Sequence, residues 1–245
     1  MQTINVLGYN VFSDNLNHLD IDKKHVISTI NPHSYVVAEK DRLFKEALMS
    51  SDVLLPDGIG IIYASKILVK RKIKRITGAD IHHFLLKQMN SKSGKVFYMG
   101  SSERILRLIS HRLKSDYTHI SCSYYAPPFT SELSEEENNM ILASINSFQP
   151  DVLFVGMTAP KQEKWVYKNK NQIEAGIICS IGAVFDFYAG TIKRPPNWMI
   201  SLKLEWLGRL LKEPKRMWKR NFISTPLFIK DIISAKLRTR NNKTP

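Results

Sequence analysis

Between residues 25 and 181, short apolar runs alternate with stretches of helical periodicity, an order that few folds accept. The runs fall at 25–30, 53–55, 95–100, 119–123, 151–156 and 177–181. Several are apolar at successive rather than alternate positions, as in KVFYMG and DVLFVG. That is the pattern of strands covered on both faces. Between the first two runs, Val36, Val37, Phe44, Ala47 and Leu48 recur at helical spacing over residues 34–50. Further helices are expected from residue 58 to about 69, after residue 80, at 101–114 with Ser101 or Ser102 as cap, after the acidic stretch 134–137, and from Pro160. The β-α-β-α order predicts an α/β fold: a Rossmann-like, mostly parallel sheet with helices on both faces.

Ligands of such sheets sit beyond the carboxyl ends of the strands, which directs attention to three loops. In the first, Asp57 ends a buried run between Pro56 and Gly58. A carboxylate there can act as a general base, although on local sequence alone a turn is the favoured reading of x-P-D-G. Thr29 and Asn31 end the preceding run; their side chains can bond a sugar or phosphate, or cap the helix that Pro32 opens. The second loop follows the strand that ends at Gly100. The third runs from Gly156 through Pro160, Lys161 and Gln162 to Glu163. Its small residues suit a phosphate or sugar, while Gln162 and Glu163 are also ordinary polar residues for a first helical turn. Separately, Arg75, Thr77 and Gly78 place a cation, a hydroxyl and a glycine just before a helix, an arrangement able to hold phosphate. Asp186 lies in an apolar run, so it needs a partner, Arg194 for instance. The seven histidines show no ligand spacing, and the two cysteines, Cys122 and Cys179, form no cluster. No metal and no cofactor are expected. The absence of G-x-S-x-G, H-E-x-x-H and G-x-G-x-x-G argues against the commonest hydrolase, zinc-protease and dinucleotide-binding classes.

Charge divides the chain. Residues 193–245 hold 14 Lys/Arg and 3 Asp/Glu, whereas the first 192 hold 22 and 19. Three of the four tryptophans, Trp198, Trp206 and Trp218, share the basic tail. A helix lying in an anionic membrane interface, a nucleic-acid surface, and a packed helix with a solvated basic face all fit that composition. Pro195-Pro196 is the natural break, giving a catalytic domain over 1–195 and a basic, amphipathic helical appendage over 196–245. Pro214 and Pro226 interrupt the appendage, and disorder is expected from Arg238 onward. No apolar run reaches the length of a membrane span, and no secretory signal opens the chain.

Taken in order, Thr29-Ile-Asn31, Leu55-Pro-Asp-Gly-Ile-Gly60, Arg75-Ile-Thr-Gly78, Gly156-x-x-x-Pro-Lys-Gln-Glu163, Ile181-Gly-Ala-Val-Phe-Asp186, Ala189-Gly190, Arg194-Pro-Pro-Asn-Trp198 and Leu204-Glu-Trp206 with Arg209, Glu213-Pro214 and Arg216 resemble the WecG/TagA/CpsF glycosyltransferases. The resemblance spans about residues 4–222. It implies an inverting, metal-independent transfer of N-acetylmannosamine, or a related hexose or uronate, from a UDP-sugar to an undecaprenyl-diphosphate-linked acceptor. The setting would be the cytoplasmic face of the bacterial membrane, in the synthesis of teichoic acid, capsule or exopolysaccharide. It further implies Asp57 as general base, with Thr29, Asn31, Arg75 and Gln162 beside it and Gly58 and Thr77 contacting substrate. Asp186 would lie near the nucleobase, and Arg209, Arg216 and Arg220 would face a diphosphate. Two departures stand out: Met157-Thr158 replaces the usual small Gly after the first Gly of the G-x-x-x-P-K-Q-E loop, and the aromatic segment reads Tyr124-Tyr-Ala-Pro-Pro-Phe129. Tyr125 and Phe129 are therefore the candidates to stack on uracil. A nucleic-acid-binding protein and a UDP-binding module without turnover are the competing readings; under the resemblance the partners are the UDP-sugar, the lipid acceptor and an anionic membrane surface, not nucleic acid.

Overall fold

The computed structural model describes residues 1–192 and 218–241. Six parallel strands form its central sheet: β3 (His25–Ile30), β4 (Val53–Pro56), β5 (Lys95–Gly100), β6 (Ser121–Tyr125), β7 (Val152–Gly156) and β8 (Ile177–Ser180), in the order β4-β3-β8-β7-β5-β6. The expected α/β architecture is present. One face of the sheet packs on α4 (Gly78–Lys92), α5 (Glu103–Asp116) and α8 (Val184–Ala189), through Ile81, Leu85, Leu106, Ile109 and Phe185. The other face meets α1 (Pro32–Ala38), α2 (Arg42–Met49), α6 (Glu135–Phe148) and α7 (Lys161–Asn169). The helix that follows β3 thus lies on one face and the helix that follows β8 on the other. These two strands are neighbours in the sheet, so a crevice opens at their carboxyl ends.

Four local features depart from the sequence reading. An antiparallel hairpin, β1 (Thr3–Val6) with β2 (Tyr9–Phe12), precedes the sheet. Its turn is Leu7-Gly8, both at positive φ (52° and 91°), and Tyr9 and Val11 are fully buried. The single helical stretch expected over 34–50 is two helices, because the Asp41 side chain accepts a hydrogen bond from Phe44 N–H and so starts α2 afresh. Asp41 also pairs with Lys164 of α7, which holds this corner against the opposite helix. The strand expected at 119–123 runs instead from Ser121 to Tyr125.

The fourth departure is at the end of the chain. A π-helical turn (Lys219–Ser224) leads without a break into α9 (Thr225–Asn241). Pro226 therefore lies within the helix rather than ending it. The wider turn, with Thr225 N–H donating to Arg220 O, leaves room where a proline ring would clash with an α-helical carbonyl. The helix also runs past Arg238, where disorder was expected. It packs on α1 and on α3 (Ile59–Leu68). Phe228 (1% exposed) and Ile232 are buried there beside Tyr35, Ile61 and Ala64. The Pro195-Pro196 break lies outside the described residues.

Candidate active site

Parallel pairing sets the frame. Thr29 lies opposite Leu55 and Ile30 opposite Pro56, so β3 and β4 end side by side. Asp57 N–H donates to Ile30 O at 2.9 Å and to Leu55 O at 3.0 Å, which tucks the residue over the strand ends. Gly58 follows with φ 111°, a left-handed conformation that directs the chain into α3. Gly60 is needed for close approach: a methyl there would meet Pro32 Cγ at 2.4 Å. Ile76 N–H donates to Pro56 O at 3.1 Å, bringing its neighbour Arg75 to the same place. The Arg75 guanidinium (Nη2) stands 3.6 Å from Asp57 Oδ1, and each side chain is about one-third exposed (36% and 31%).

These groups line one cavity of about 1220 Å³. Of the candidates from the sequence, it gathers Thr29, Asn31, Asp57, Gly58, Arg75, Thr77 and Arg220. Two of the seven also do structural work. Asn31 Oδ1 accepts from the N–H groups of His33 and Ser34, capping α1. Thr77 forms a reciprocal capping box with Asp80 at the start of α4. Arg220 reaches the cavity because the π-helical turn is tied to α1: His33 Nδ1 and Ser224 Oγ share a 2.8 Å hydrogen bond. The partners lie 191 residues apart in sequence, so no local signal joins them.

The remaining candidates stand at neighbouring strand ends and do not line this cavity. Gly100 and Gly156 are register partners. A methyl on Gly100 would come within 2.6 Å of the Gly156 backbone, and one on Gly156 within 2.4 Å of the Phe185 ring. Pro160 precedes α7, and Lys161 Nζ donates to Thr130 O at 2.6 Å. Tyr125 closes β6 half-buried, while Phe129 is 85% exposed. The Asp186 carboxylate accepts from Thr191 Oγ1 at 3.4 Å. Arg194, Arg209 and Arg216 lie outside the described residues.

Gln162 stands just behind the cavity wall. A methyl on Gly182 would be 3.1 Å from Gln162 Oε1, and Gly182 lies between the lining residues Ile181 and Ala183. Gln162 and Glu163 are each 4% exposed, and Gln162 Nε2 donates to Glu163 Oε1 at 2.8 Å. Gln162 Oε1 and Glu163 Oε2 have no hydrogen-bond partner among the described residues. Burial pushes the Glu163 carboxyl up to about 7, against the smaller opposing effect of the Gln162 hydrogen bond. A raised acid pKa makes the folded state hold its proton where the unfolded chain has lost it. Stability is therefore full below about 4.5 and falls as pH rises through about 7. We expect the denaturation midpoint to drop by a few kcal/mol equivalent across that window, and Glu163→Gln to remove most of the drop. An unchanged pH profile in the variant would show that Glu163 does not titrate there.

Sequence reasoning missed the apolar half of the cavity. Ile59, Tyr63 and Ile67 from α3 face Phe222 of the π-helical turn and Ile229, Ile233 and Leu237 of α9. The signal available was the spacing of four within each set.

Comparison with known proteins bears on this arrangement. The sequence pattern of the glycosyl transferase WecG/TagA/CpsF family matches residues 2–242. An N-acetylglucosaminyldiphosphoundecaprenol N-acetyl-beta-D-mannosaminyltransferase of Bacillus subtilis (strain 168) is 32% identical over 235 residues, covering 95% of this chain and 88% of the relative. Proteins of the same name in Bacillus spizizenii and Staphylococcus aureus (strain MW2) are 30% and 29% identical, over 88% and 89% of this chain and 81% and 83% of their own lengths.

Proposed function

Because the chain belongs to the WecG/TagA/CpsF family of glycosyltransferases, we propose that it moves N-acetylmannosamine, or a related hexose or uronate, from a UDP donor to an undecaprenyl-diphosphate-linked sugar, with inversion at the transferred carbon. The observation that carries this reading is the pairing of Asp57 with Arg75 in the lining of a cavity whose other walls are apolar. An acceptor hydroxyl loses a proton as it attacks, and the Asp57 carboxylate is placed to take it. UDP departs with growing negative charge, which fixed cations such as Arg75 and Arg220 can stabilise. The relatives' acceptor carries N-acetylglucosamine on a diphosphoundecaprenol; by analogy, a diphosphate would lie at the arginine end of the cavity. The donor would lie toward the strand ends at Gly100 and Gly156, with Tyr125 or Phe129 available to stack on the base.

Among the described residues, no helix is long and apolar enough to cross a membrane. A lipid-linked acceptor stays in the bilayer, so the enzyme must reach it from the surface. We place the chain peripherally at the cytoplasmic face, where its basic tail meets anionic lipid at about 1 kcal/mol per cation.

A UDP titration followed by a UDP-release assay with lipid-linked N-acetylglucosamine tests the function. Release that depends on acceptor supports transfer; binding without release leaves only a UDP-binding module. The same assay in excess chelator should proceed at an unchanged rate, since the proposed mechanism uses arginines to meet the diphosphate charge. Loss of activity restored by Mg²⁺ or Mn²⁺ would overturn that part of the proposal.

A further inference from the structure

A surface helix of a globular protein normally carries one apolar stripe; α3 carries two. Ile61 and Ala64 face the core and are fully buried, while Ile59, Tyr63 and Ile67 are 40%, 49% and 40% exposed on another face. Helix α9 repeats the pattern: Phe228 and Ile232 are buried, and Ile229, Ile233 and Leu237 are 49%, 54% and 53% exposed. Residues four apart share a helix face, so each outer set is a continuous stripe. Both stripes line the cavity that holds Asp57 and Arg75. The result is a trench whose lining joins the charged residues Asp57, Asp80, Arg75 and Arg220 to apolar walls. Along α3 it runs from Ile59, two residues beyond Asp57, to Ile67, about 12 Å at roughly 1.5 Å per residue. Lys236 lines the cavity beside Leu237, and Lys66, Lys70 and Lys230 are exposed on the same two helices and the loop that follows α3.

Resting on the acceptor reading above, we infer that the α3–α9 trench holds the first isoprene units of the acceptor's polyprenyl chain, with the diphosphate at the Arg75–Arg220 end. An amphiphile of that chemistry matches the trench along its length: anion against guanidinium, then hydrocarbon against isoleucine, tyrosine and leucine. The walls stay exposed at a cost that a sugar nucleotide alone would not offset, because a nucleotide has no hydrocarbon to cover them. The exposed lysines on these helices would meet an anionic bilayer, so the occupant enters the trench from the membrane surface. On this account, bilayer contact delivers the lipid and the trench selects it.

The test titrates the full chain with two probes of one head group, farnesyl diphosphate and dimethylallyl diphosphate. Wild type should bind the longer probe at least about tenfold more tightly, since its extra hydrocarbon leaves water. Ile67→Gln and Ile233→Gln change half-exposed residues and should keep the wild-type melting temperature. Each should lose most of the preference for farnesyl diphosphate and leave dimethylallyl diphosphate binding unchanged; Ile233→Leu should restore the preference. Equal wild-type affinity for the two probes would overturn the inference. So would variants that keep the preference but release anionic vesicles, for then the stripes touch the bilayer and not the chain. If the preference behaves as expected but wild type transfers sugar to no prenyl-linked acceptor, the trench stands and the acceptor reading falls.

Discussion

Asp57→Asn should keep the fold and UDP binding and lose turnover by about 10²- to 10⁴-fold, the usual worth of a general base. The backbone explains why the fold survives. Asp57 is held by its own N–H, which donates to Ile30 O and Leu55 O, and asparagine keeps that N–H. The side chain is 31% exposed and 3.6 Å from Arg75, so an amide of the same shape fits without overpacking. What changes is chemical: an amide cannot accept the proton that the attacking hydroxyl releases. Single-turnover measurement with saturating donor separates this from a binding effect. A variant that transfers within about threefold of wild type would remove Asp57 from the role and with it the assignment of the β3–β4 strand ends as the reacting centre.

Phe228→Ala should cost about 3–5 kcal/mol, as truncation of a buried phenylalanine does when the site cannot collapse. The ring is 1% exposed and stands edge-on to Tyr35 with centroids 5.2 Å apart. A methyl on Gly60 would lie 3.3 Å from it, so the three elements α1, α3 and α9 meet at this point. The cavity left behind is roofed by helices that are fixed elsewhere: α1 by its capping box and α3 by the close approach of Gly60 to Pro32. Because α9 walls the active-site cavity, the same variant should lose transfer in proportion to the population of detached helix. A denaturant midpoint shifted by less than about 1 kcal/mol would mean that α9 is no part of the core.

The two experiments probe parts of the molecule that differed in how far they could be read in the sequence. The parallel sheet was legible because its strands are buried on both faces, which leaves unbroken apolar runs such as residues 152–155. The hairpin was not. Ile4 and Val6 alternate with polar residues over only four positions, and the turn that pairs them with Tyr9 and Val11 relies on Leu7 at φ 52°, a conformation leucine rarely advertises. The break between α1 and α2 hangs on one side chain, Asp41, whose capping bond competes with a helical pattern that would otherwise run through. α9 was hidden by its own composition: with Phe228 and Ile232 inside and Ile229, Ile233 and Leu237 outside, its apolar residues do not mark a single face.

The site divides in the same way. Thr29 lies at the end of an apolar strand and Asn31 and Asp57 directly follow one, so the rule that ligands sit at carboxyl ends of strands was enough to single them out. Arg75 was singled out with Thr77 and Gly78 as a phosphate-holding arrangement before a helix and Arg220 through the family resemblance, but only the fold brings them to one cavity, since they depend on the Ile76–Pro56 and His33–Ser224 hydrogen bonds. Gln162 stands behind Gly182 rather than in the cavity, a placement local sequence does not specify. The apolar wall needs Tyr63 and Ile233 to line one cavity from positions 170 residues apart in the chain, a relation that exists only after folding.

The central claim is that a sugar passes from a UDP donor to a prenyl-diphosphate-linked sugar at the Asp57 cavity. The most direct measurement is mass spectrometry of the acceptor lipid after incubation of the pure protein with UDP-N-acetylmannosamine and N-acetylglucosamine on diphosphoprenol. The account predicts an acceptor heavier by one N-acetylhexosamine residue, one UDP released for each, and no such product with Asp57→Asn. Release of UDP with free sugar and an unaltered acceptor, or an unaltered acceptor with every UDP-sugar tried, would contradict it.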